Sequence, residues 1–428
     1  MSYTYTATLP ELAECDVLVI GGGSAGSAAA VAAARQGAST LLVERQGFLG
    51  GTGSMVLDTF YGFYTPGIER KIVGGIPDEV VAGLEARGVL LKRPNTYGAG
   101  AGLTYDPQTL KVVWDELCGG AGVRTLFHTQ FVDVVMDGEY LTGAVLATKR
   151  GPGVVRARVV IDASGDADVA ARAGADFEDA GALGQAQSLT TTFQVINVDV
   201  ERATALPKQE LWALMEQHGD AYGLPRREGS AHITPLAGVM VTNMTRVGGV
   251  DATDPWALSD AERQGRRQAL DYMRFLRERV PGYERAELGG LSVQIGVRET
   301  RRLRGEYWLT RKDVLSARQF ADAVALCGAP IEEHHAGGDT RWEYLPPGET
   351  YGIPYRCLLP RRVEGLLVAG RCLSASHDAH ASVRSIGQCL AAGQAAGVAA
   401  AQALAHRQPR AVDTAALRAR LLEMGAIL

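Results

Sequence analysis

Three basic side chains crowd the short stretch SHDAHASVRSIGQ (residues 376–388): His377, His380 and Arg384. Histidine titrates nearest neutrality, so one placed beside a reacting centre can give or take a proton. A guanidinium close by can hold a substrate anion or developing negative charge. Arg298 of GVRET offers a second such cation, and Tyr351, Arg356 and the pair His334–His335 add polar groups. The pattern points to proton transfer on a small bound molecule, with His377, His380, Arg384 and Arg298 as candidate catalytic residues. Each has a structural alternative: a histidine can simply satisfy buried hydrogen bonds, and Arg298 can anchor a loop or pair with an acid. His334–His335 has no third ligand at fixed spacing, so no metal site is expected. Cys372 and Cys389 read as small buried residues rather than redox groups.

From Leu390 onward the chain is almost entirely Ala, Gly, Val and Gln. A helix of that composition can press closely against another element. The partner is foreshadowed near the N-terminus, in CDVLVIGGGSAGSAAAVAAARQGASTLLVER (15–45). Asp16–Ile20 reads as an apolar strand, Gly21, Gly23 and Gly26 as G-x-G-x-x-G, about 25–35 as a helix, and Thr40–Val43 as the next strand. Glu44 follows Gly21 at the interval expected of the acid that meets an adenosine ribose. Strand, glycine turn, helix, strand and acid together form a dinucleotide-binding fingerprint. Gly21 makes the turn, Gly23 admits a pyrophosphate, and Gly26 lets helix and strand pack. The helix start at Ser24 and Ala25 presents free N–H groups to the phosphates.

Fifty-two glycines without a repeat agree with many tight turns, and a net charge of −5 gives no reason to expect a nucleic-acid partner. Six cysteines with no C-x-x-C pair argue against an iron–sulfur cluster and fit a reducing cytoplasm. The N-terminal residues lack the basic and apolar regions of a secretory signal, so none is expected. The Gly- and Ala-rich stretches 16–34 and 390–405 read as packed elements rather than membrane spans. Residues 123–175 read as four or five short strands, with turns at Asp137-Gly138 and Gly151-Pro152-Gly153 and a final strand Val159–Asp162 before DASGD. From about 183 to 350 the texture changes to an inserted unit with strands and two helices, before GLLVAGR (365–371) returns to a buried strand.

The order of these segments resembles the two-domain FAD flavoproteins of the fumarate reductase and succinate dehydrogenase type. More closely, it resembles the bacterial FAD-dependent oxidoreductase family, which has heterodisulfide reductase A among its relatives. VIGGGSAGSAAAVAAARQGASTLLVER, GFLGGTGS, VIDASGDADVAARAGA, IGVRETRRLRGEYWLTRKDV and YGIPYRCLLPRRVEGLLVAGRCLSASHDAHASVRSIGQCLAAGQAAG carry the likeness. It implies an α/β fold: a Rossmann-like FAD-binding domain from 1–182 and 351–428, with a β-rich α+β cap inserted at 183–350. It implies FAD as cofactor, with Glu44 and Arg45 at the adenosine ribose and Gly51, Thr52 and Ser54 along the pyrophosphate and flavin. Val132 would meet the adenine through its backbone, and Gly165 and Asp166 would close the site. Gly370 and Arg371 would meet the ribityl-phosphate part, and Ile386, Gly387 and Gln388 the pyrimidine edge of the flavin. Arg371 departs from the Asp that many flavoproteins carry there. W-x-W-x-I-P and G-D-A-A-H, marks of flavin halogenases and aromatic hydroxylases, are absent. The expected activity is hydride exchange between flavin N5 and a small organic substrate, with oxygen, a quinone or a partner protein completing the cycle. The alternative is a flavin subunit that relays electrons between protein partners.

Overall fold

The computed structural model describes residues 3–4, 6–95, 100–181, 186–334 and 340–428. The expected boundary at 182–183 and His335 lie outside the described residues. Glu11–Ile20 is the central strand, wholly buried from Val17 to Ile20. Thr40–Val43 and Gly151–Asp162 flank it in parallel, and Arg124–Leu126 lies in parallel outside Thr40–Val43. Gly151–Asp162 is long enough to serve two further partners on its other edge. Its first half pairs antiparallel with Tyr140–Thr148, and its last three residues pair in parallel with Leu366–Val368. Gln130–Asp137 completes this seven-stranded sheet. The Gly-Pro-Gly run expected as a turn instead opens Gly151–Asp162, where a proline at the strand start costs little.

The helix Ser24–Arg35 follows the first strand, and the small-residued helix Ile386–Ala403 lies directly on it. A Cβ at Gly393 would overlap the carbonyl of Ala25, and one at Gly397 the carbonyl of Ala29. The glycines at these two positions are what let the helix backbones touch. Along most of its length this helix therefore packs on protein, and only its N-terminal end reaches toward open space.

A separate antiparallel sheet forms from Phe193–Ile196, Ala231–Ile233, Met240–Thr242 and Glu287–Leu291. Among the described residues none of these strands pairs with the seven-stranded sheet. The helices Lys208–Tyr222 and Pro255–Arg279 join it around a core that includes Phe193, Met215, Tyr272 and Phe275. Of the expected insertion, Leu309, Val314, residues 324–327, Ile331 and Leu345 enter the core beneath the fingerprint helix instead. The strand Ala323–Cys327 pairs with Tyr351–Pro354 beside the helix Ile386–Ala403. No helix among the described residues is long and apolar enough to cross a membrane.

Candidate active site

The parallel strands end at one edge, the usual place for a ligand in such sheets. There the chain leaves a cavity of about 510 Å³, walled by the fingerprint turn on one side and by the antiparallel sheet on the other. Gly21 has φ +99°, and the carbonyl of Ala163 occupies the place of its missing Cβ. Gly26 is filled in the same way by the carbonyl of Gly21. Gly23 differs, because a Cβ there would meet only the Cα of Gly51, 3.8 Å away. The space beside Gly23 is open on the cavity side.

No side chain caps the N-terminus of Ser24–Arg35, so its first-turn N–H groups meet the cavity at Ser24 and Ala25. Glu44 is buried, with Oε2 accepting from the Gly22 amide at 2.7 Å and Oε1 from the Gln46 amide at 2.8 Å. Each oxygen keeps acceptor capacity for a hydroxyl. Uncapped amides for a pyrophosphate and an oriented acid for a ribose fit the adenosine diphosphate half of FAD. Gly51 and Thr52 continue the wall, and Arg45 donates to Gln294 Oε1 at 2.7 Å.

Beside the fingerprint turn lie Gly165, Asp166, Gly370 and Arg371, with a Cβ at Gly370 only 2.9 Å from that of Ala25. Arg371 donates to Asp166 at 2.7 Å, and Thr300 also donates to Asp166 at 2.7 Å. Burial opposes ionisation of Asp166, but Arg371 and the Thr300 hydroxyl, with Arg45 beyond, together outweigh it and the carboxyl sits below its ordinary value. The residue that departs from the flavoprotein pattern thus recruits a carboxylate from DASGD. Ile386 lines the cavity at the start of a helix that no side chain caps.

Five expected cofactor contacts do not line this cavity. Gly26 is consumed in packing, and Ser54 is buried beneath the wall. Gly387 donates its amide to Tyr61 at 2.9 Å, and the Gln388 amide donates to the carbonyls of Gly62 at 2.9 Å and Leu326 at 3.1 Å. These two act through the 61–62 loop, which does line it. Val132 is 43% exposed on Gln130–Asp137, away from the opening. The chain passes closest to Glu44 earlier, at Leu126 and Thr129, which bond to its backbone.

The candidate catalytic residues divide. Arg298, Arg384 and His334 line the cavity, whereas His377 and His380 do not. His377 is clamped between Glu299 (2.9 Å) and Glu333 (3.1 Å). His380 is wholly buried and donates from Nε2 to the carbonyl of Arg371 at 2.8 Å; burial drives it well below its ordinary value, so it is neutral. Both hold other residues in place. Tyr351 is buried against Ser382, and Arg356 pairs with Asp322 at 2.8 Å. Burial raises the thiols of Cys372 and Cys389, the latter to about 12, leaving neither as a thiolate.

The clamp gives a pH signature. The hydrogen bond to Glu299 raises His377 to about 9 from 6.5. Its stabilisation is complete below the unfolded value of 6.5 and fades as pH rises through 9. With the ring 22% exposed, we expect His377→Gln to cost on the order of 2–3 kcal/mol at about pH 6. The gap between wild-type and variant melting temperatures should close near pH 10. A gap that stays constant with pH would show that the ring packs without its charge.

One pair escaped the sequence reading. His232 Nε2 lies 2.8 Å from Asp58 Oδ1 and 3.1 Å from Oδ2, and both residues line the cavity. Among the described residues the other ring nitrogen, Nδ1, has no hydrogen-bond partner. Asp58 follows the helix Thr52–Met55, and His232 belongs to the antiparallel sheet. They stand 174 residues apart, so no spacing rule could have joined them.

Several solved structures align with the chain. The flavin-dependent brominase Bmp2, as a triple mutant, aligns with TM-score 0.50 at 15% identity, over 96% of this chain and 84% of that one. A geranylgeranyl bacteriochlorophyll reductase-like protein from Thermoplasma acidophilum aligns with TM-score 0.44 at 15% identity, over 96% and 84%. p-Nitrophenol 4-monooxygenase PnpA from Pseudomonas putida aligns with TM-score 0.47 at 13% identity, over 97% and 87%. At 15% identity the alignment to Bmp2 concerns the fold alone. No curated protein sequence matches the chain. The model of one sequence family matches residues 16–421, nearly the whole molecule and every wall of the cavity just described: this is a member of the FAD dependent oxidoreductase family, and FAD is its cofactor.

Proposed function

We propose that this flavoenzyme exchanges a hydride with a small organic substrate bound between the fingerprint turn and the antiparallel sheet, and that His232 moves the accompanying proton. The observation that carries the reading is the Asp58–His232 pair on the cavity wall. Bound FAD supplies the two-electron acceptor or donor. Oxidising a C–H bond next to an O–H or N–H releases a hydride and a proton, and the proton needs its own acceptor. Asp58 fixes the imidazole by Nε2, which leaves Nδ1 to take that proton or, in the reductive direction, to return it. Residues 186–298 would form the cap, closing the cavity from the side opposite Gly23. All six cysteines are unpaired, in keeping with a reducing compartment such as the cytoplasm.

The test is anaerobic mixing of the FAD-loaded protein with a panel of small alcohols, amines, acids and enoates. Bleaching of the flavin by one of them supports the reading, as does oxidation of pre-reduced flavin by an enoate. The relay alternative, to which the likeness to heterodisulfide reductase A-like proteins would lend itself, gives the opposite result. Only a redox protein would then exchange electrons with the flavin.

A further inference from the structure

Arg298 and Arg384 stand on the cavity wall with no carboxylate of their own. Arg298 spends Nη1 on the carbonyl of Ser188 (2.6 Å) and the hydroxyl of Thr190 (2.7 Å). Its Nε and Nη2 have no protein acceptor among the described residues. Arg384 spends Nη2 on Gln187 Oε1 (2.9 Å) and the carbonyl of Glu332 (3.3 Å). Its Nε is buried and unpartnered. Neither guanidinium has a carboxylate oxygen within 4.0 Å among the described residues, while most other arginines of the cavity do: Arg226 pairs with Glu228, Arg301 with Asp168 and Arg371 with Asp166.

Two cations of like sign placed together out of bulk water are costly unless an anion joins them. The cost is visible in Arg298, which burial and the neighbouring Arg384 push down to about 9. The cavity supplies part of the compensation. Glu332 also lines it, its ionised form favoured by a hydrogen bond from His334 and by Arg384 and Arg298 against the opposition of burial. His334 is itself kept neutral by burial and by Arg298, so it adds no charge. Glu299 also acts on Arg384 but is spent on Arg302 and His377. Arg226, Arg246 and Arg371, the other cations nearby, pair with Glu228 and Asp166, so Arg298 and Arg384 face Glu332 alone and leave room for one more anion.

We propose that Arg298 and Arg384 together seat a carboxylate of the substrate. A single residual positive charge matches a monoanionic carboxylate better than a phosphate dianion. The unspent N–H groups of the two planar forks suit its paired oxygens. The seat stands on a different wall from the phosphate-facing turn at Gly23. It rests on the reading above, in which a small substrate occupies this cavity, and names the chemical class of that substrate.

The test is calorimetric titration of FAD-loaded protein with benzoate and succinate, with benzamide and inorganic phosphate as controls. The expected result is binding of the carboxylates, none of benzamide, and weaker or no binding of phosphate. Arg298→Gln should keep its flavin and weaken carboxylate binding roughly 10- to 100-fold, the range for losing charged hydrogen bonds. Arg384→Gln provides the same test should the first variant fold poorly. Unchanged carboxylate affinity in both variants, or equal binding of benzamide, overturns the proposal. So does loss of FAD, or a shifted flavin potential without loss of carboxylate binding, because the pair would then serve the cofactor. Reduction of the flavin only by neutral substrates would overturn the carboxylate seat and leave hydride exchange standing. Carboxylate binding without flavin reduction by any small molecule would do the reverse.

Discussion

Gly23→Val should yield a folded chain that holds little or no flavin. The backbone at Gly23 has φ −70° and ψ −173°, a conformation that a β-branched residue adopts readily. The nearest atom beyond its chain neighbours to a Cβ there is 3.8 Å away, so the chain leaves a Cβ ordinary contact distance. What lacks room is a pyrophosphate drawn onto the amides of Ser24 and Ala25. The wild-type protein should melt higher as FAD is added, by the usual mass-action relation, and the variant should not respond. Gly26→Ala is the control for the opposite failure. Its Cβ would strike the carbonyl of Gly21, backbone against backbone, so the helix cannot keep its place on the strand. That variant should lose folding whether or not FAD is present. Full flavin occupancy in Gly23→Val would show that FAD binds elsewhere.

The contrast between these two glycines also shows what the sequence could reveal. Strand, turn and helix at 16–35 were legible because each follows from residues a few positions apart: an apolar run, glycines at fixed intervals, an Ala-rich segment. The close approach of the C-terminal helix was legible for the same reason, since Gly393 and Gly397 fall one turn apart on one face. Local signals failed where distant elements compete for a side chain. His377 and His380 stand beside an uncapped helix entrance in sequence, but Glu299 and Glu333 arrive from far along the chain and claim the first. The carbonyl of Arg371 claims the second. The Val324–Leu326 run looked like part of the inserted unit until its strand partner, Tyr351–Pro354, drew it into the other core. The Asp58–His232 contact is of the same kind, made only when two separately built walls face each other.

That contact carries the second large effect. His232→Ala should keep FAD bound, because no expected cofactor contact depends on it. Flavin reduction by substrate should nevertheless slow by roughly 10²- to 10⁴-fold, the usual contribution of a positioned acid or base. Added imidazole should restore part of the rate, since the missing ring leaves a gap that opens on the cavity. A merely structural histidine would give a less stable protein whose rate per bound flavin was unchanged and indifferent to imidazole. Asp58→Asn separates orientation from proton transfer: the ring remains, but its Nε2 partner no longer offers two acceptor oxygens that fix one tautomer. Because the two residues act as one unit, the double variant should be little slower than His232→Ala alone. If instead the two losses multiply, Asp58 and His232 act on different steps. The proton would then leave the substrate by another route, for which Tyr61 and Arg93, joined at 3.2 Å and also lining the cavity, offer a polar pair.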